Sequence, residues 1–340
     1  MNWKIFPKHL IPWILVLVIG VGVAFYILLG RGAKLSITDQ TRNKQQVLVR
    51  AEASNILSFF KVFGESIAVV SRTKAIQLRN QNAIPNMDAF IEEWGETGLV
   101  RGIARTDKNG IVVLNSNVIG TRNIGTSLVD RDYFLWAKTR SKEGEYYVGS
   151  PVVSRFGATL DDLVVPVAAA VYRDGIFNGV LVAVVDVDNL THDYLELMRI
   201  SDSADVFLVD QSGKLLYSNN FSEGIGLNLI EYLEQNPFNS SQKLSEAFVK
   251  ALELGGEGGD VVKFEDPVSH KLESHVVAYS PILVGSQNWL LVIASPKENG
   301  NIWEFATPMY IRLVILGLLI GLTIFAFGII KVKKYQKRLK

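Results

Sequence analysis

Residues able to do chemistry are sparse in this chain, and their spacing excludes most kinds of catalysis. None of the 340 residues is cysteine, so thiol nucleophiles, thiolate metal sites and disulfides are excluded together, a usage that suits an exported domain. The four histidines, His9, His192, His270 and His275, show no zinc spacing such as H-E-x-x-H. His270 and His275 flank an expected strand turn and are read as solvated. Ser150, Ser154 and Ser295 lack a G-x-S-x-G setting. The run Gly255-Gly256-Glu257-Gly258-Gly259 lacks the G-K-[ST] ending of a phosphate loop and reads as a connection between elements. No enzyme, cofactor or metal is therefore expected. One carboxylate stands apart: Asp186 ends the apolar run VLVAVVD, where a buried, unpaired charge is costly and calls for an ion pair, a helix cap or another partner.

Charge divides the chain into three parts. Residues 1–31 and 309–340 hold no Asp or Glu but ten of the 35 basic residues, which leaves 25 basic and all 34 acidic residues in 32–308, a net −9. A nucleic-acid binder needs a basic face, so nucleic acid is excluded as a partner. Residues 10–30 are uncharged and long enough to cross a hydrocarbon core of about 30 Å. Residues 313–330 form a second such run, extended to Met309 if Arg312 snorkels. The first run exceeds the apolar core of a cleaved signal peptide and lacks a convincing A-x-A site, so it reads as an uncleaved anchor. Lys4 and Lys8 precede it, and six positive charges follow the second run in 331–340. The positive-inside rule then places both termini in the cytoplasm and the middle outside, a two-pass protein of the plasma or inner membrane.

Two kinds of element must position any outer site. Residues 34–80 carry no Pro and no Gly except Gly64, and Val49, Ala53, Ile56, Phe60, Phe63, Ile67 and Val70 recur at alternating steps of four and three, an apolar seam on one helix face. The seam either packs on the protein's own sheets or forms a two-fold homodimer along this helix. Beyond Pro85 the pattern turns to strands. VRGIARTDKNGIVVLNSN reads as a hairpin turning at Asp107–Gly110, and ADVFLVDQSGKLLYSNN repeats it at Asp210–Gly213, with Asp107 and Asp210, Gly110 and Gly213, and Asn117 and Asn220 each 103 residues apart. Each hairpin precedes a helical or irregular stretch and then apolar strands near a proline: Leu163–Pro166 and Gly179–Val187, then Val276–Pro281 and Trp289–Ser295. A duplicated module is the economical explanation.

Several segments carry a resemblance. Arg131-Asp132-Tyr133-Phe134, then Tyr147-Val148-Gly149-Ser150-Pro151, Val165-Pro166, Asp174-Gly175-x-Phe177-x-Gly179-Val180 and Val185-Asp186-Val187 resemble the double Cache sensor domain of bacterial and archaeal chemoreceptors, histidine kinases and diguanylate cyclases. The resemblance covers about 34–305. It implies an α/β (α+β) fold: a long N-terminal helix plus two PAS-like modules, flanked by two transmembrane helices. The parts would be a cytoplasmic N-terminus (1–9), a first span (10–30), the long helix (31–84), a membrane-distal module (85–199), a membrane-proximal module (200–305), a second span (309–330) and a basic tail (331–340).

The resemblance also implies a small ligand in the distal module. Arg131 would clamp a carboxylate, Asp186 would hold an ammonium, and Tyr133, Phe134 and Tyr147 would supply walls and a hydroxyl. The amino-acid-binding subgroup has a Tyr five residues before the Arg, a Trp two after it and a Tyr three after it. Here Thr126, Tyr133 and Phe134 stand in those places, and only Arg131, Tyr147 and Asp186 match. An amino acid, an amine or a carboxylate all remain open as ligand class. The implied function is a membrane-anchored extracytoplasmic small-molecule sensor that signals to a separate cytoplasmic or membrane output partner, or to an output domain beyond Lys340. The alternative is a non-signalling extracytoplasmic binding or scaffold module of an envelope complex.

Overall fold

The computed structural model describes residues 10–139, 142–198, 204–221, 224–265 and 272–297 and five positions between 313 and 328, with side chains from Ile37 onward. The second apolar run, apart from those five positions, and the tail 331–340 lie outside the described residues, as does His270. The chain divides into 1–41 with 298–340, and 42–297; the second unit holds both sheets.

Helix α1 runs unbroken over Leu10–Ser71, so the first apolar run is helical throughout. Its seam residues Val49, Ala53, Ile56, Phe60, Phe63 and Ile67 are all buried, in one cluster with residues of both sheets. The seam is therefore spent on the protein's own core. Gly64 explains itself there, since a Cβ would overlap the ring of Tyr146. The expected single helix over 34–80 ends early: α2 (Lys74–Leu78) follows, closed by Arg79 in the left-handed conformation, and then α3 (Ala83–Gly95). Pro85 lies in the first turn of α3, where a missing N–H costs nothing, so helix continues past it and strands begin only at Val100.

Two antiparallel sheets follow. The distal one joins β1 (Val100–Thr106), β2 (Val112–Asn117), β3 (Tyr146–Val148), β4 (Val152–Val153), β5 (Leu163–Arg173) and β6 (Ile176–Asp186) in the order β2-β1-β6-β5-β3, with β4 also on β5. The proximal one joins β7 (Asp205–Val209), β8 (Leu215–Ser218), β9 (Gly258–Glu265), β10 (Leu272–Val284) and β11 (Gln287–Pro296) in the order β8-β7-β11-β10-β9. With the short β4 set aside, the orders are the same when counted within each module, as a duplication requires. One face of each sheet packs on α1. The other is covered by α4 (Asp132–Thr139) in the distal module, and by α6 (Leu229–Gln235) and α7 (Asn239–Leu254) in the proximal one. Cover on both faces is why Val164–Val171 is buried without alternation. His275 lies inside β10 and is fully buried, not solvated as its sequence position suggested, because β10 extends beyond the expected strand in both directions.

Candidate ligand-binding site

The shared motif segments meet at the start of α4. Asp132 accepts the backbone N–H of Ser150 at 2.9 Å, and Gly149 donates its own N–H to the Pro166 carbonyl at 2.8 Å. A Cβ on Gly149 would press on the Pro166 ring and the Asp132 carboxylate, which is why glycine stands there. Asp174 and Gly175, both with positive φ, make the two-residue turn between β5 and β6. Phe177 then packs edge-on to Phe134, with ring centres 6.0 Å apart. Most of the motif is thus scaffold, and its product is the placement of residues 131–133.

Arg131 and Tyr133 border a cleft of about 490 Å³ counting its open mouth. Its floor is the distal sheet, through Ala104, Asn115, Val182 and Val184; its cover is Val152–Thr159, which includes Phe156 and Gly157. Arg131 and Tyr133 close one side. Arg131 donates through Nη2 to the Val153 carbonyl at 2.9 Å, and no ion pair among the described residues engages it. Tyr133 is buried, and that burial pushes its phenol pKa up, so the hydroxyl keeps its proton. Arg155, at the mouth, is held by Asp130 in a two-pronged pair at 2.7 and 2.6 Å, which pulls the Asp130 carboxyl down to about 2.

The other expected site residues stand elsewhere. Phe134 is fully buried in the core beneath α4, away from the cleft. Tyr147 stacks on Trp136 at 5.1 Å between ring centres. Asp186, 4% exposed, caps the N-terminus of α5 (Val187–Leu195) by accepting the Asn189 N–H at 3.1 Å, and pairs with Arg101 Nη1 at 3.5 Å. Arg101 also reaches Asp162 at 3.3 Å. Cap and ion pair are the structural partners that the buried carboxylate demanded, and they are in place without a ligand.

Sequence reading missed Asn115. It is 2% exposed, it lines the cleft, and its Nδ2 has no hydrogen-bond partner. The available signal was the Asn-x-Asn alternation that ends the hairpin strand VVLNSN, which points two amides to one sheet face. The second of them, Asn117, is satisfied by Thr121.

The proximal module has a cleft in the matching place. The N–H of Leu128 meets the Gly110 carbonyl at 2.8 Å, and that of Leu229 meets Gly213 at the same distance, so Tyr232 stands where Arg131 does. Its walls are Phe207, Leu227, Phe248, Val277 and other carbon-rich side chains, with no charged residue among those described. Among the described residues, the distal cleft offers a cation and the proximal one does not.

The chain belongs to the double Cache family: the family's model, described as Cache domain, matches residues 31–299. No curated protein matches it. Among solved structures it resembles the ligand-binding domain of Pseudomonas fluorescens chemoreceptor CtaA in complex with L-serine, at 15% identity and TM-score 0.54, covering 77% of this chain and 99% of that one. The ligand-binding domain of a Campylobacter jejuni chemoreceptor in complex with L-norvaline is similar at 16% identity and TM-score 0.52, covering 78% and 96%. An extracellular ligand-binding receptor from Desulfohalobium retbaense aligns at 14% identity and TM-score 0.54 over 73% of this chain, which spans 39% of that receptor's length. These likenesses are of fold. The family is one of sensor and ligand-binding domains, typically extracytoplasmic.

Proposed function

We propose that the chain is a membrane-anchored extracytoplasmic receptor whose distal module binds a small polar ligand, and that binding is passed across the membrane to an output protein or domain. The observation carrying this reading is the cleft itself, in which the Arg131 guanidinium and the unpartnered Asn115 amide sit among apolar walls on one of two otherwise matching modules. In this reading Arg131 holds the oxygen-rich end of the ligand and Tyr133 forms a wall. Phe134, Tyr147 and Asp186 act one step back, by fixing α4, β3 and α5. Solved neighbours named for complexes with L-serine and L-norvaline support a small-molecule ligand. Anchoring by two spans with both termini cytoplasmic rests on the apolar runs and the basic ends. A ligand that favours one arrangement of the modules would shift the balance between two states.

The test is thermal unfolding of the full chain in nanodiscs against amino acids, amines, organic acids and purines. A binder at 100 times its Kd adds about 2.7 kcal/mol, and at roughly 2–4 °C per kcal/mol the shift is plain. A shift abolished in Arg131→Ala supports the reading. A folded protein that none of these ligands stabilises overturns it.

A further inference from the structure

Four carboxylates flanking the distal cleft are already engaged. Asp186 and Asp162 share Arg101, at 3.5 and 3.3 Å. Asp130 is clamped by Arg155, and Asp132 accepts the N–H groups of Tyr133 and Ser150 at 2.7 and 2.9 Å. No Asp or Glu lines the cleft among the described residues. What remains unspent points the other way: a guanidinium whose partner is a neutral carbonyl, and a buried amide nitrogen with no partner. Ser154 adds no acceptor for a cation at low cost, since its hydroxyl donates to the Phe156 carbonyl at 3.2 Å and accepts from Thr159 at 3.0 Å. The lining therefore holds a guanidinium outside any ion pair, an unpartnered amide donor and no carboxylate.

An ammonium brought into such a place loses its hydration and finds no anion, whereas a carboxylate finds both a cation and a second donor. The rest of the lining, Leu128, Val152, Phe156, Val164 and Val182, is apolar and suits a short aliphatic tail. Resting on the reading of this cleft as the ligand site, we infer that its ligand is a short aliphatic carboxylate without an amino group, its oxygens on Arg131 and Asn115 and its tail on Val152, Phe156 and Val182. This differs in chemical class from a zwitterion, which would require an acidic side chain that the cleft does not present.

A matched three-carbon series tests it on the full chain in nanodiscs: propionate, lactate, pyruvate, L-alanine and isopropylamine, read by calorimetry and by thermal shift. At least one of the first three is expected to bind about tenfold or more tightly than L-alanine, a gap of about 1.4 kcal/mol, with isopropylamine silent. Arg131→Gln and Asn115→Leu are each expected to erase that binding. The leucine replaces an amide nitrogen that makes no hydrogen bond, and the unliganded melting temperature checks that the fold is kept. Asn115→Asp is expected to reverse the order, favouring L-alanine. Turned over, the Asn115 amide would offer its oxygen to an ammonium, and the alanine and amine arms read that orientation.

If L-alanine or isopropylamine equals the best carboxylate, the inference is overturned while the sensor reading stands. Should the carboxylates fail and some other small molecule bind through Arg131, the ligand class is wrong and the site is right. If nothing in the wider screen binds, both fall.

Discussion

Asp107 and Asp210 make the same turn in the two modules. Oδ1 of Asp107 accepts the N–H groups of Asn109 and Ile111, both at 2.9 Å, and Oδ1 of Asp210 accepts those of Ser212 and Lys214, at 2.8 and 2.9 Å. Gly110 and Gly213 close the turns with φ of 84° and 85°. A single carboxylate oxygen thus satisfies two turn amides in each hairpin, as an Asx turn does. Asp107→Ala and Asp210→Ala are each expected to cost about 1–2 kcal/mol in denaturant unfolding. The two sites share no partner, so the double variant should lose the sum to within about 0.5 kcal/mol. A loss confined to one variant would mean that the turns are not equivalent.

Asp186 serves as both helix cap and ion-pair partner, and two substitutions separate these roles. Asparagine caps as well as aspartate but cannot pair with Arg101. Asp186→Asn should therefore be the milder change, and Asp186→Ala should cost about 1 kcal/mol more by losing the cap as well. Arg101→Met leaves a nearly buried carboxylate without its cation; partial exposure of Arg101 sets the cost at about 1–3 kcal/mol, below that of a fully buried pair. Thermal melts of the three variants check the order. Equal losses for the two Asp186 variants would remove the cap from the account.

Arg105 is a buried cation on β1 with Nε and Nη1 unpartnered; its Nη2 alone reaches the Asn178 carbonyl, at 2.9 Å. Burial first, and the charge of Arg79 second, pull its pKa down from the ordinary arginine value to about 9. A base depressed in the folded state binds fewer protons there than in the unfolded chain. Its penalty is therefore full below about pH 9 and relaxes as pH rises towards the ordinary arginine value. Arg105→Met, similar in volume and neutral, is expected to hold stability within about 1 kcal/mol of the parent or to raise it. Measured from pH 7 to 10, the parent should gain stability relative to the variant only above about pH 9. A loss above about 3 kcal/mol would show that the cation is needed where it lies.

Phe60 is 1% exposed and meets Trp289 edge-on with ring centres 5.4 Å apart, while Val62, two residues on, is 55% exposed. Phe60→Ala is expected to cost about 3–5 kcal/mol and Val62→Ala less than about 0.5. Urea unfolding distinguishes them. Comparable losses would mean that α1 buries a different face.

Much of this architecture is legible in sequence, and the residues show why. The seam from Val49 to Ile67 is a long periodic signal that tertiary packing reinforces. The hairpins at Asp107 and Asp210 announce themselves by turn chemistry that needs no distant partner. What sequence conceals is whatever depends on residues far apart in the chain. Arg101 and Asp186 are brought together by the pairing of β1 with β6, and nothing local marks Arg101 as the partner. Phe134 and Tyr147 carry the types expected of a ligand wall, yet Phe177 and Trp136 occupy their faces. Residue type indicates capacity, and only pairing across the sheet decides whether that capacity is free. The end of the long helix at Ser71 was equally hidden, since residues 72–80 remain helix-compatible and a left-handed Arg79 bears no sequence mark.

The contact between Phe60 and Trp289 joins positions about 230 residues apart, and the rest of the seam likewise packs on strands made later than itself. During synthesis the apolar stripe of the seam is made long before its partners, and it cannot be fully buried until β11, the last strand of the second sheet, is available. Assembly of the core is therefore a late event in the life of the nascent chain, and the helix must be shielded from aggregation for nearly the whole time it takes to make the outer region.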